Sequence, residues 1–224
     1  MNKIGFYLFV LLLQFSAYTS FAQDELLDDK KLGKSKEFKT LEEALEKPDK
    51  VYKLSLSNKN LVVLTPDIGK FKNLQKLDIS SNKLKAVPKE IVKLKKLQSL
   101  NLSKNTTLNL SQVFGFFAKS KLLTEIIITD NTIKILPDNI SKIQSIEFID
   151  LSYNPDLNLK QLFKTLSKLP NLKKLSLVES NLTTFPDEIS GLKSLRELDL
   201  NWNRISETER KRLRTLLPKT KVVY

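Results

Sequence analysis

Cysteine and histidine are absent from the 224 residues of this chain, glycine occurs five times and tryptophan once. Without thiol or imidazole there is no disulfide framework, no Cys/His nucleophile or base, and no metal site built on those ligands. A lipoprotein anchor, which needs a cysteine, goes with them. Five glycines are too few and too scattered to form a glycine-rich phosphate loop. Any chemistry would rest on carboxylates, Lys, Ser, Thr or Tyr, and the expectation is a non-catalytic protein with no cofactor and no metal.

Hydrophobic residues make up 41% of the chain and charged residues 28%, enough for a core beneath a solvated surface. The formal charge is +13, with basic residues scattered along the chain; such a balance speaks of solubility and steering. At the start, Lys3 precedes an apolar run from Ile4 to Phe15, and Ser20-Phe21-Ala22 is a small-x-small site ahead of Gln23. This pattern is expected to be a secretory signal peptide, residues 1–22, cut after Ala22. The run is shorter than the roughly 20 residues that span a bilayer, and no later segment is apolar enough to do so. The protein is therefore expected to be exported, to the periplasm, the cell surface or the medium, with no transmembrane segment in the mature chain. Residues 23–36 are charged and without clear period, and read as a flexible lead-in. Thr40 with Glu43 forms a capping box for a helix around Leu41 to Glu46, an N-terminal cap over 37–50 closed by Pro48.

Self-similarity organises the rest. Val51, Leu74, Leu97, Leu123, Ile146, Leu172 and Leu195 each open the pattern LxxLxLxx(N)x(L), at spacings of 23, 23, 26, 23, 26 and 23 residues. The second copy shows it plainly, as Leu74, Leu77, Ile79, Asn82 and Leu84. A longer period lies on top, since Pro88, Pro137 and Pro186 are 49 apart, as are Asn105, Asn154 and Asn203. Short copies return through segments such as Leu136-Pro137 with Ile140. Long copies instead carry Leu110, Val113, Phe114 and Phe117, and later Leu159, Leu162, Phe163 and Leu166, which is the spacing of a helical face.

Seven such copies over residues 51–205 resemble the leucine-rich-repeat family, with LPxxI-type repeats alternating with longer helical ones, and the absence of cysteine caps is similar to its exported bacterial members. The resemblance implies an α/β solenoid: a curved parallel sheet on the concave side, short helices, 3₁₀ turns and extended segments on the convex side, and helical caps. Residues 206–224 would supply the C-terminal cap, a helix from Glu207 to Leu217 behind Ser206 as N-cap, then a last partial strand through Val222 and Tyr224. Period and stacking explain the motif. Alternate side chains of each short strand enter the core while those between face solvent, and stacked neighbours bury what one coil cannot. An amide both donates and accepts, so Asn82, Asn105, Asn131, Asn154 and Asn203 are read as a structural ladder for the backbone groups of each turn. Lys59 and Ser180 hold that position in the first and sixth copies.

Function is expected on the solvent-facing positions of the concave sheet, where the family meets its ligands. Most are polar here. The departures are Ile127, Phe148, Tyr153, Val178 and Trp202, and with Asp150 these are the candidate partner-binding residues. Isolated apolar surface residues are the plainer reading of the same set. The partner expected is an unknown protein. The runner-up is a glycan- or envelope-binding protein using a basic convex surface that includes Lys89, Lys93, Lys95, Lys96 and the Arg210/Lys211/Arg212/Arg214 cluster. No nucleic-acid module is present. Glycoside hydrolysis by Asp78, Asp150 and Asp199 fits poorly: Asp78 and Asp150 would lie three strands, roughly 14 Å, apart, and Asp150 and Asp199 roughly 9.5 Å apart, at the outer edge of the inverting range.

Overall fold

A computed structural model describes residues 26–224, so the expected signal peptide lies outside the described residues. The chain divides into two compact units, the first ending at Ser35 and the second running from Lys36 to Tyr224. In the first, helix α1 spans Asp29–Lys34, and the Asp28 carboxylate caps it by accepting from the Lys31 N–H at 2.8 Å. The segment read as a flexible lead-in therefore holds a capped helix. Its six residues make fewer than two turns, too short for a hydrophobic period to register.

The second unit is one nine-stranded sheet in which every neighbour is parallel and strand order follows the chain. Its strands are β1 (Glu37–Phe38), β2 (Lys53–Ser55), β3 (Lys76–Asp78), β4 (Ser99–Asn101), β5 (Glu125–Ile127), β6 (Phe148–Asp150), β7 (Lys174–Ser176), β8 (Glu197–Asp199) and β9 (Lys221–Val223). Leu54, Leu77, Leu100, Ile126, Ile149, Leu175 and Leu198 are register partners from strand to strand. None of that row is more than 1% exposed. Full burial of such a side chain contributes about 1.5–3 kcal/mol, so the stacked row is a principal source of cohesion.

The connections behind the sheet follow repeat length. Pro66–Lys70, Lys89–Lys93, Asp138–Lys142 and Asp187–Gly191 are single 3₁₀ turns, and the last three begin directly after Pro88, Pro137 and Pro186. The two longer repeats instead form helices α3 (Leu110–Phe117) and α4 (Leu159–Leu166). Asn109 and Asn158 cap them by accepting from the N–H groups of Gln112 and Gln161. Val113, Phe114 and Phe117 of α3 enter the core, as do Leu162, Phe163 and Leu166 of α4.

Both ends are covered. Helix α2 (Leu41–Glu46) starts at the Thr40 cap and buries Ala44 beside the first strands. Helix α5 (Glu207–Leu216) starts at the Ser206 cap and buries Leu213. It is tied to the last coil by Glu209, whose Oε1 accepts from the Phe185 N–H and from Arg212, both at 2.9 Å.

The asparagines act on the backbone at each turn. Asn154 Nδ2 donates to the carbonyls of Ile128, Leu151 and Ser152, while its Oδ1 accepts from the N–H groups of Asn131 and Ile133. Asn82, Asn105 and Asn203 each donate to three carbonyls in the same way. Asn131 donates to Leu102 and accepts from Asn105. In the sixth repeat the buried Ser180 hydroxyl serves part of this role, accepting from the Asn154 N–H and donating to Val178.

Candidate functional site

Register places the solvent-facing side chains in columns. One column reads Ser55, Asp78, Asn101, Ile127, Asp150, Ser176 and Asp199; another reads Lys53, Lys76, Ser99, Glu125, Phe148, Lys174 and Glu197. Ile127 and Asp150 are direct cross-strand partners, both half-buried. Phe148 lies beside Lys174, whose ammonium sits 5.6 Å from the ring centroid and pairs with Glu197 at 2.7 Å. That pair holds the Lys174 ammonium above its ordinary pKa and the Glu197 carboxyl below its own, the carboxylate–ammonium hydrogen bond being the main cause of each.

Tyr153, Val178 and Trp202 belong to the other end of the strands. Phe148 and Tyr153 are five residues apart along one chain segment, up to roughly 16 Å in extended geometry. The candidate set therefore resolves into two places: Phe148 at the entry of β6, partly covered by Lys174, and Tyr153, Val178 and Trp202 at the exit rim. Val178 is half-buried, and its carbonyl accepts from the Tyr153 N–H. Trp202 is 82% exposed and Tyr153 46%.

The backbone at that rim is unusual. Asn58, Ser81, Lys104, Asp130, Tyr153, Glu179 and Trp202 occupy the eighth position of the seven repeats, and every one has φ between 49° and 62°. The chain must reverse there so that the following residue can enter the coil. Left-handed backbone costs a residue with a Cβ about 1–2 kcal/mol, least for Asn and Asp, whose short polar side chains bond locally. Asn58 and Asp130 suit the position. Tyr153 and Trp202 do not, and their exposure shows that core packing does not compensate. The neighbouring Glu179 carboxylate, through hydrogen bonding and charge, raises the Tyr153 hydroxyl above the usual tyrosine pKa.

Asp150 has a local task as well. Its Oδ1 accepts from both the N–H and the hydroxyl of Ser152, an Asx turn leading into the left-handed residue. Asp78 and Asp199 accept from Ser80 and Asn201 in the same manner. All three carboxylates are thus committed to turns along the open sheet. Among the described residues no group of three or more Asp and Glu is placed to hold a metal ion, and no helix is long and apolar enough to cross a membrane.

The C-terminal basic cluster is largely engaged. Arg212 pairs with Asp187 and Glu209, Arg214 with Glu207 at 3.3 Å, and the Arg210 guanidinium stacks 4.6 Å from the Tyr224 ring. Sequence reasoning passed over the exposed Val62, Val63 and Ile135, and an apolar groove at the seam between the second and third repeats, lined in part by Val92 and Phe116. Phe116 falls outside the inward stripe of α3. An aromatic residue off the helical period was the available signal.

The leucine rich repeat family model matches residues 49–106 and 158–205. No curated protein sequence matches the chain. Among solved structures, the Toll–Spatzle complex of Drosophila aligns with a TM-score of 0.58 at 18% identity, over 75% of this chain and 22% of that one. A plant peptide hormone receptor, RGFR1 in complex with RGF2, aligns with a TM-score of 0.46 at 23% identity, over 76% of this chain and 30% of that one. The chain thus spans less than a third of either structure's length, and the likeness to the Toll structure is one of fold.

Proposed function

We propose that this leucine-rich-repeat solenoid is an exported, non-catalytic scaffold that holds a protein partner on the open face of its sheet, anchored by Tyr153 and Trp202 at the rim. The observation that carries the reading is the pairing of two exposed aromatic rings with left-handed backbone, a conformation that costs a residue with a Cβ and that places both rings outside the core. Aromatic side chains are the usual anchors of protein interfaces, since they bring large area with few rotatable bonds. Tyr153 and Trp202 lie two repeats apart, roughly 10 Å across the sheet, and fall within the centre of one standard interface. Ile127, Val178 and Asp150 extend the same surface toward the strands, and Phe148 with Lys174 forms its far margin. The Toll structure that shares the fold is itself that of a complex, with Spatzle.

Export rests on Lys3, the apolar run that follows and the small-x-small site ending at Ala22. The glycan- or envelope-binding alternative is weakened by the engagement of Arg210, Arg212 and Arg214 within the C-terminal cap.

The test is cross-linked capture of the partner by the mature chain, its identification by mass spectrometry, and titration against wild type and a Tyr153→Ala, Trp202→Ala variant. Two anchors lost from an interface centre weaken binding by about 2 kcal/mol or more, roughly thirtyfold. Equal affinity of the two proteins would refute the assignment.

A further inference from the structure

The 49-residue period allows the molecule to be compared with itself at the edge where the convex returns meet the segments entering the next strand. At the first such seam the chain leaves a groove of about 470 Å³. Leu94 and Phe117 line it from the core, with half-buried Phe116 and Leu122 and exposed Val92 beside them. Three lysines, Lys95, Lys119 and Lys121, complete the lining, and no carboxylate is among the residues that form it. Among the described residues none of these ammonium groups has an ion-pair or hydrogen-bond partner.

One period later the same seam is closed by polar side chains. Ser141, Gln144 and Thr165 stand where the first seam has Val92, Lys95 and Phe116. Gln144 Nε2 donates to the Ser141 and Lys168 carbonyls, and Asn171 Nδ2 donates to the Gln144 carbonyl at 2.9 Å. A second period on, the seam opens again as a smaller groove of about 290 Å³, lined by Leu192, Lys193, Leu216 and Lys219. The fold therefore tolerates a sealed seam, and the first copy departs from it by exchanging hydrogen-bonding residues for apolar ones and gathering positive charge at their margin. That combination matches a ligand with a hydrocarbon part and an anionic end.

We propose that the seam between the second and third repeats binds a single-chain amphiphilic carboxylate of the fatty-acid type, with the hydrocarbon against Val92, Phe116 and Leu122 and the carboxylate among Lys95, Lys119 and Lys121. The groove volume lies within the range of small-molecule sites, about 300–1,000 Å³. Lysine suits the head: a compact, mobile point charge on an apolar stem that itself covers hydrocarbon.

Calorimetric titration of the mature chain tests this with dodecanoate below its micelle concentration, alongside glycerol monododecanoate, with the same chain and no charge, and acetate, with the same head and no chain. Dodecanoate is expected to saturate one site, the neutral ester to bind at least about tenfold more weakly, and acetate not to bind. The charge-dependent part should shrink when salt shortens the Debye length from about 10 Å at 0.1 M to about 3 Å at 1 M. Two variants test the lining: Val92→Ser with Phe116→Thr, which copies the chain's own sealed seam, and Lys95→Gln with Lys121→Gln, which removes two of the charges; each should lose at least about tenfold in affinity with an unchanged circular dichroism spectrum. A Tyr153→Ala, Trp202→Ala variant should bind dodecanoate as wild type does, which separates this site from the sheet face. Absence of saturable binding, equal binding of the neutral ester, or affinity unaltered in both seam variants would overturn the proposal.

Discussion

Asn154 serves five backbone groups from one amide, three carbonyls as donor and two N–H groups as acceptor, in a position of zero exposure. Leaving a buried backbone group unpaired costs about 1–3 kcal/mol. Asn154→Ala should therefore lower unfolding free energy by about 3 kcal/mol or more in urea denaturation. Asn131, which donates to one carbonyl and accepts from one N–H, should cost less on the same substitution. Equal losses would mean that cavity formation, and not hydrogen bonding, dominates at these sites. The ladder was readable in the sequence because one amide must recur at one offset. The left-handed residue just before it was not, since Asn, Ser, Lys, Asp, Tyr, Glu and Trp share no chemistry and the conformation is imposed by the turn around them. Asp150 was readable as a surface carboxylate, but its bond to Ser152 was not, because it depends on the backbone turning back two residues on.

At the scale of elements, repeat length decides the return. Twenty-three residues leave room for one 3₁₀ turn, and the three added in the longer copies are spent on α3 and α4. Both outcomes were legible, because LPxxI segments and a helical apolar stripe are distinct patterns. Strand β1 and helix α1 were not, since two residues show no period and Asp28 is followed three residues on by Lys31, not by the Glu that marked the equally short α2. The glycines separate packing from propensity. A Cβ at Gly69 would lie 2.9 Å from both the Cβ and the carbonyl oxygen of Glu90, where the first two 3₁₀ turns meet. At Gly115, within α3, the nearest atom would be the Asn139 amide at 3.8 Å. Gly69→Ala should lower the melting temperature, whereas Gly115→Ala should raise stability by about 0.5–1 kcal/mol through helix propensity. Thermal unfolding of the two variants checks both signs, and a stabilised Gly69→Ala protein would show that the turns do not touch as closely as described.

The whole solenoid carries its charge unevenly. On the open face, the first three repeats present Lys53, Lys76 and Lys104 against Asp78, while the last four present seven carboxylates against Lys173, Lys174 and Arg196. Lys104 pairs with Asp130 across the boundary at 3.8 Å, and Lys173 with Glu147 at 2.9 Å. The aromatic rim thus lies in the acidic half of a molecule that is basic overall, a polarity that orients an approaching partner more than it holds one. The separation of Phe148 from Tyr153 and Trp202 needed the strand geometry.

Tyr153 and Trp202 stand at the rim against the preference of their own backbone. The most direct measurement is the melting temperature of the mature chain carrying Tyr153→Asn and Trp202→Asn, set against wild type. Asparagine accepts left-handed backbone, so relief of about 1–2 kcal/mol should raise the midpoint by roughly 2–8 °C. A lowered midpoint would show that the two rings stabilise the fold, and that they are not held there against it.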